Sequence, residues 1–200
     1  VDEYLCIDPK IIEKLITPKT RAIIFVGIGG NTGRLDEVRE LCKSRNISLI
    51  LDAAHMSGTY VKSSDKQIHV GHEADVSIFS FQAVKNLPTA DSGMICFQDD
   101  EKDSFCRKLS WLGIDKDTYS RSTGGAYKWE YDVPHIGYKY NGNSIMAAIA
   151  KIQLKYLNQD NAYRRLLSQK YIEGLQDLER ISIIKESKYT FQSSKHLFQI

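Results

Sequence analysis

Three side chains in this sequence make a chemical set when they are read together. Asp52 closes an apolar run in LILDAAHMSGTY (Leu49 to Tyr60), Ser80 closes another in ADVSIFSF, and Lys85 follows in FSFQAVKNL. A carboxylate at the carboxyl end of a buried strand loses water and needs a cationic or hydrogen-bonding partner. A lysine amine condenses with a carbonyl compound, and a hydroxyl binds phosphate. Pyridoxal phosphate (PLP) asks for this set: a lysine for the Schiff base, a carboxylate that keeps the pyridine nitrogen protonated, and hydroxyl or backbone donors for the phosphate. Taken singly, Lys85 reads as an ordinary surface lysine in a turn.

The surrounding pattern supplies the elements that must hold these residues. PKIIEKLI has helical spacing with proline in the first turn, and RAIIFVGI is an apolar run of strand length ending in glycines. GRLDEVRELCKSRN then places Leu35, Val38, Leu41 and Cys42 on one helical stripe ahead of the strand ISLILD. ADVSIFSF and SGMICF are further strands. Alternating strands and helices with continuous apolar strands predict an α/β fold, a mainly parallel sheet with helices on both faces. Ligands of such sheets bind at the carboxyl ends of the strands. The loops Gly27–Gly33, Asp52–Gly58 and Ser80–Leu87 leave those ends. Beyond Asp99 the pattern gives a helix over roughly 101–112, an irregular stretch rich in Gly, Tyr and Trp, and a long helix over about 144–178 with a break or bend.

The loop GIGGNTG invites a competing reading. Its glycines fall at 27, 29, 30 and 33, one step off the dinucleotide fingerprint, with Asp52 in place of the acidic residue expected about 20 positions on. A nucleotide-binding oxidoreductase would use that loop and Asp52, but it leaves Lys85 and Ser80 without a role. A tight strand-to-helix turn needing close approach explains the same glycines.

Bulk properties exclude several classes. The 200 residues carry 27 basic and 25 acidic side chains, for a net charge of +2, and no basic stripe suggests nucleic acid. No apolar segment approaches the ~20 residues of a membrane span, and no secretory signal opens the chain, so the cytoplasm is the expected location. Cys6, Cys42, Cys96 and Cys106 form no C-x-x-C pair, and His69 and His72 have no nearby cysteine, so no metal site is expected.

Four ordered blocks, ITPKTRAIIFV, ILDAAHMSGT, SFQAVKNLPTADSGM and DVPHIGYKYNGNSIMAAIAKIQL, resemble the DegT/StrS-type PLP-dependent sugar aminotransferases, which have the aspartate-aminotransferase fold (fold type I). The resemblance runs from Val1 to about Leu178. It implies that Lys85 forms the aldimine and moves the proton between substrate carbon and cofactor, and that Asp52 pairs with the pyridinium nitrogen. It further implies that Ala54 lies against the ring face, His55 stands near the phenolic oxygen where the family usually has glutamine, and Ser80 binds the phosphate. Lys139 occupies a position, often asparagine, that reaches the neighbouring subunit's phosphate across a homodimer interface. Gly27 and Gly29 stand where family members commonly carry a histidine and an aromatic residue. Related dehydratases replace the lysine with histidine, and desulfurases place histidine beside it; here Lys85 is present and its neighbour is Val84.

The function implied is amino transfer to a keto sugar, nucleotide-linked, from an amino-acid donor such as glutamate, by a ping-pong route. A non-catalytic PLP-binding relative is the alternative, motivated by the departures at Gly27, Gly29, His55 and Lys139. Residues 1–130 are expected to belong to the large PLP-binding domain, and 131–200 to a linking helix and the start of a small C-terminal α+β domain. The chain is expected to be a fragment of a longer enzyme.

Overall fold

A computed structural model describes residues 1–63, 66–115 and 132–200. By its internal contacts the chain divides into two units, one of residues 1–98 with 144–200 and one of residues 99–143. The boundary expected near residue 130 falls in 116–131, outside the described residues.

The first unit begins with helix α1 (Pro9–Leu15). Asp8 caps it by accepting the Lys10 N–H at 2.9 Å, and Pro9 occupies the first helical position, where a missing N–H costs nothing. Strand β1 (Ala22–Val26) leads through the glycine turn into α2 (Leu35–Arg45), whose left-handed Asn46 ends it at φ 52°. Leu35, Val38 and Cys42 of the predicted stripe are buried. Strand β2 (Ser48–Asp52) follows, then the hairpin strands β3 (Tyr60–Ser63) and β4 (Lys66–His69), then β5 (Val76–Ser80) and β6 (Gly93–Phe97). The main sheet has the order β1-β2-β5-β6, with the first three strands parallel and β6 antiparallel to β5. The smaller sheet, β4-β3-β7, is closed by β7 (Thr190–Gln192) near the end of the chain.

Register decides which face each residue serves. Phe25, Leu51 and Ser77 lie in one row, all fully buried. That face packs with Ile23, Leu49 and the α2 stripe into one hydrophobic core. Val26, Asp52, Ile78 and Ile95 form the opposing row. Ile24 on that second face is 60% exposed, and Val26, Ile78 and Ile95 are exposed with it. The apolar strands read as buried on both faces; within this unit the described elements cover one. Replacing Phe25 by alanine empties the covered side, with an expected cost of about 3–5 kcal/mol in denaturant unfolding. A cost below about 1 kcal/mol would contradict the core assignment.

Helix α4 (Ser144–Leu175) is a single helix of 32 residues, so the break expected along it is not found. The segment after it returns to the sheet. Tyr189 donates its hydroxyl proton to the buried Glu73 carboxylate, which also pairs with Arg39 of α2. The C-terminal segment SSKHLFQI reads as the start of a strand, but the strand here is Thr190–Gln192. The residues that follow lie along the glycine turn, where the His196 N–H donates to the Gly29 carbonyl at 3.0 Å. Glu73→Ala removes the acceptor shared by the partly exposed Arg39 guanidinium and the Tyr189 hydroxyl, while Arg39 keeps Glu40, so a loss of about 1–3 kcal/mol in thermal or denaturant unfolding is expected. A loss within about 0.5 kcal/mol would mean that the cluster does not anchor this segment.

The second unit holds α3 (Asp100–Ser110), capped by Asp99 through the Glu101 and Lys102 N–H groups. Trp111 bridges to Lys139 in an isolated antiparallel contact.

Candidate active site

Asp52 and Ser80 end neighbouring parallel strands. Asp52 is in register with Ile78, so Ser80 lies two residues further along β5. Asp52 is half-buried; its Oδ1 accepts the Ala54 N–H at 3.1 Å, while its carbonyl accepts the Gly27 N–H at 3.1 Å. The first bond turns the chain sharply just after the strand. The buried Ala53 donates its N–H to the Ile78 carbonyl at 2.8 Å, which fixes the start of that turn on β5. Ser80 Oγ accepts the Gln82 N–H at 3.4 Å, and the Lys85 N–H donates to the Gln82 carbonyl at 2.9 Å, so Lys85 sits in a short turn just past β5.

His55 stands close enough to Asp52 and Lys85 to feel both charges. Burial first, and then the Lys85 ammonium, hold its pKa below the ordinary histidine value, while Asp52 opposes them. The Gly29 N–H donates to His55 Nδ1 at 3.2 Å. Nδ1 is therefore the acceptor, and the neutral ring carries its proton on Nε2. This supplies the tautomer that the sequence leaves open, with Nε2–H as the ring's donor.

The structure thus brings Asp52, Ala54, His55, Ser80 and Lys85 to one end of the sheet. Lys139 belongs to the other unit. Its ammonium lies 3.5 Å from the Trp111 ring centroid and donates to Asn141 Oδ1 at 2.8 Å. Among the described residues no cluster of three or more His, Cys, Asp or Glu is placed to hold a metal ion, and no helix is long and apolar enough to cross a membrane.

The glycine turn resolves the competing reading. Gly29 and Gly30 have φ of 64° and 93°, conformations that side chains resist. A Cβ on Gly27 would collide with the buried Met56 sulfur. The N–H groups that would cradle a pyrophosphate are already used: Gly29 donates to His55, Gly30 to the Gly27 carbonyl, Asn31 to the Ile28 carbonyl, and Gly33 to Asn31 Oδ1. These glycines serve close packing against Met56 and the C-terminal segment.

Residues not singled out from sequence complete the surroundings. Asn86, next to Lys85, is buried and bonded to Asn161 of α4, to the Ser194 carbonyl and to His196. Asn161 carries no signal in the sequence, because its neighbours on the helix face, Leu157, Arg165 and Ser168, are of mixed character. Burial, His55, Lys85 and Arg164 push the His196 pKa down from 6.5 to about 4. A histidine that stays neutral when folded stabilises the protein above its unfolded pKa, and that contribution is lost as pH falls through the folded value. The melting temperature should therefore drop between about pH 6.5 and 4, and His196→Asn should flatten the drop. An identical pH profile in the variant would show that His196 is protonated as freely folded as unfolded.

Whether this set fits PLP is tested by what its side chains already bond. Among the described residues the Lys85 ammonium has no hydrogen-bond or ion-pair partner, and Asp52 uses one carboxylate oxygen only. An unengaged amine, a carboxylate oxygen, a small residue at Ala54, an imidazole donor and a hydroxyl at neighbouring strand ends match what the cofactor needs.

The profile of the DegT/DnrJ/EryC1/StrS aminotransferase family matches residues 1–200. Among solved structures, the aminotransferase TlmJ from Streptoalloteichus hindustanus is 28% identical with a TM-score of 0.85, over 98% of this chain and 50% of its own. Helicobacter pylori PseC, an aminotransferase involved in the biosynthesis of pseudoaminic acid, is 25% identical with a TM-score of 0.82, over 99% of this chain and 50% of its own. DesV of S. venezuelae, solved in complex with a ketimine intermediate, is 28% identical with a TM-score of 0.80, over 98% and 49%. The chain spans about half the length of these structures. A parallel sheet that presents a lysine, a carboxylate and a hydroxyl at its strand ends, together with a profile match along its whole length, places this chain in the DegT/DnrJ/EryC1/StrS aminotransferase family.

Proposed function

We propose that the protein carrying this chain is a PLP-dependent aminotransferase that moves an amino group from an amino acid, glutamate or a close relative, to a nucleotide-linked keto sugar. The observation that carries the reading is the convergence of Lys85, Asp52 and Ser80 on neighbouring strand ends in a chain of this family. PseC's part in pseudoaminic acid biosynthesis supports a sugar as acceptor. When bound, PLP supplies an electron sink that stabilises negative charge at the carbon bearing the amino group.

The residues of this chain do the rest. Lys85 Nζ would hold the cofactor, and as a free amine it would take the proton from the donor's α-carbon and give one to the sugar carbon. The Asp52 carboxylate keeps a proton on the ring nitrogen, and His55 Nε2–H donates toward the phenolic oxygen. Ala54 allows close approach to the ring face, and the Ser80 hydroxyl binds phosphate. Lys139 reaches the partner subunit's phosphate in a homodimer whose sites lie at the interface. In this reading residues 1–130 are part of the large PLP-binding domain, 131–200 lead into a small C-terminal domain, and the enzyme works in the cytoplasm.

The test is nitrogen transfer by the full-length protein with PLP, 15N-glutamate and nucleotide-linked keto sugars. A sugar product heavier by the labelled amine is expected. Cofactor binding without transfer from any amino donor would favour the non-catalytic reading.

A further inference from the structure

Lys85 is followed by a residue whose hydrogen bonds have only one consistent direction. Asn86 Nδ2 donates to the Ser194 carbonyl at 2.9 Å and to Asn161 Oδ1 at 2.6 Å. Asn161 Nδ2 in turn donates to the Ser57 carbonyl at 2.9 Å, so its Oδ1 is an acceptor. Two backbone carbonyls, which accept only, therefore set the orientation of both amides. Asn86 Oδ1 is left as an acceptor, and it meets His196 Nδ1 at 2.5 Å. The proton in that contact belongs to His196 Nδ1. The neutral ring then leaves Nε2 bare, the opposite tautomer to that of His55, whose ring lies tilted against it at 4.4 Å between centroids.

The network joins four parts of the chain at the lysine turn: the Asp52–Gly58 loop through Ser57, α4 through Asn161, the C-terminal segment through Ser194 and His196, and Asn86 at the centre. Ser194 adds a second tie by donating its hydroxyl to the His55 carbonyl at 2.6 Å. Asn86 and Asn161 are buried, so each bond replaces water that cannot reach them, and losing one leaves a stranded polar atom.

We propose that His196 is a positioning residue for Lys85: its Nδ1–H, donated to Asn86 Oδ1, fixes the turn 82–87 and with it the direction from which the neighbouring amine approaches the site. The claim about the turn stands on the hydrogen bonds alone. Its consequence for amino transfer rests on Lys85 being the cofactor lysine.

Two substitutions separate this role from space filling. His196→Asn puts an amide N–H the same number of bonds from the backbone as Nδ1, whereas His196→Gln puts one where Nε2 stood. Glutamine fills the space better, so a packing role ranks it above asparagine. Amide hydrogen exchange over residues 82–87 in the full-length protein, without added cofactor, should accelerate by about tenfold in His196→Gln, the equivalent of one neutral hydrogen bond. His196→Asn should keep most of the parent's protection. In the PLP-loaded enzyme the same ranking should appear in kcat, with the KM for glutamate little changed. Imidazole 15N spectra of the unsubstituted protein at neutral pH should show the proton of His196 on Nδ1, a reading that needs no variant. A proton on Nε2, or glutamine matching or exceeding asparagine in protection, would overturn the proposal. If exchange and tautomer come out as stated while the loaded parent shows no Lys85-dependent chemistry, the positioning of the turn stands and the aminotransferase reading falls.

Discussion

Lys85→Ala should reduce amino transfer by at least about 10⁴-fold while leaving the fold intact. Proton transfer by a positioned base is worth roughly 10²–10⁴ by itself, and Lys85 is also assigned the covalent attachment of the cofactor. The fold should survive because Lys85 is a half-buried turn residue whose backbone N–H, bonded to the Gln82 carbonyl, is retained by alanine. Its ammonium has no partner among the described residues, so truncation strands no buried charge. The measurement is turnover with glutamate as donor, alongside a thermal melt of the same preparation. Turnover within tenfold of the parent would remove Lys85 from the central role.

Asp52→Asn is expected to lower kcat by about 10²–10³-fold, the range seen when one preorganised electrostatic partner of a reacting group is removed. Asparagine keeps an oxygen that can accept the Ala54 N–H, so the turn after β2 should hold. What it loses is the negative charge proposed to keep the ring nitrogen protonated, and with it most of the electron withdrawal. The effect should fall on kcat more than on the KM of either substrate, because the charge matters most where carbon bears negative charge. An unchanged kcat would mean that the ring nitrogen finds its partner elsewhere.

How far the sequence discloses this arrangement depends on whether each contact is local. The α2 stripe and the strands β1, β2 and β5 are legible because apolar periodicity and run length report burial directly. Asp52 and Ser80 stand out in the sequence because each closes such a run, where an apolar residue would be the default, whereas Lys85 lies in the turn beyond β5 and draws notice only beside those two. The antiparallel direction of β6 is not legible, since SGMICF has the composition of a parallel strand and only its pairing with Val76–Ser80 distinguishes it. Nor is the open sheet face, because Ile24, Val26, Ile78 and Ile95 carry the same apolar signal as their buried neighbours.

The surroundings of Lys85 are the least legible part. Asn86 lies 75 residues from Asn161 and 110 from His196, and no local pattern links positions so far apart. A buried polar network is specified by three-dimensional satisfaction of donors and acceptors, which periodicity does not encode. The glycine turn shows the opposite failure. Its spacing suggests a phosphate cradle, and only the structure shows that Gly29, Gly30, Asn31 and Gly33 spend their N–H groups within the chain.

The central claim is that Lys85 holds PLP and exchanges it with an amino donor. The most direct measurement is the visible absorbance spectrum of the full-length protein with PLP, recorded before and after glutamate and repeated with Lys85→Ala. The account predicts a lysine-linked cofactor band that bleaches to the pyridoxamine form with glutamate in the parent and is absent or unresponsive in the variant. A band of equal intensity and equal response in Lys85→Ala, or no lysine-dependent band in the parent, would contradict it.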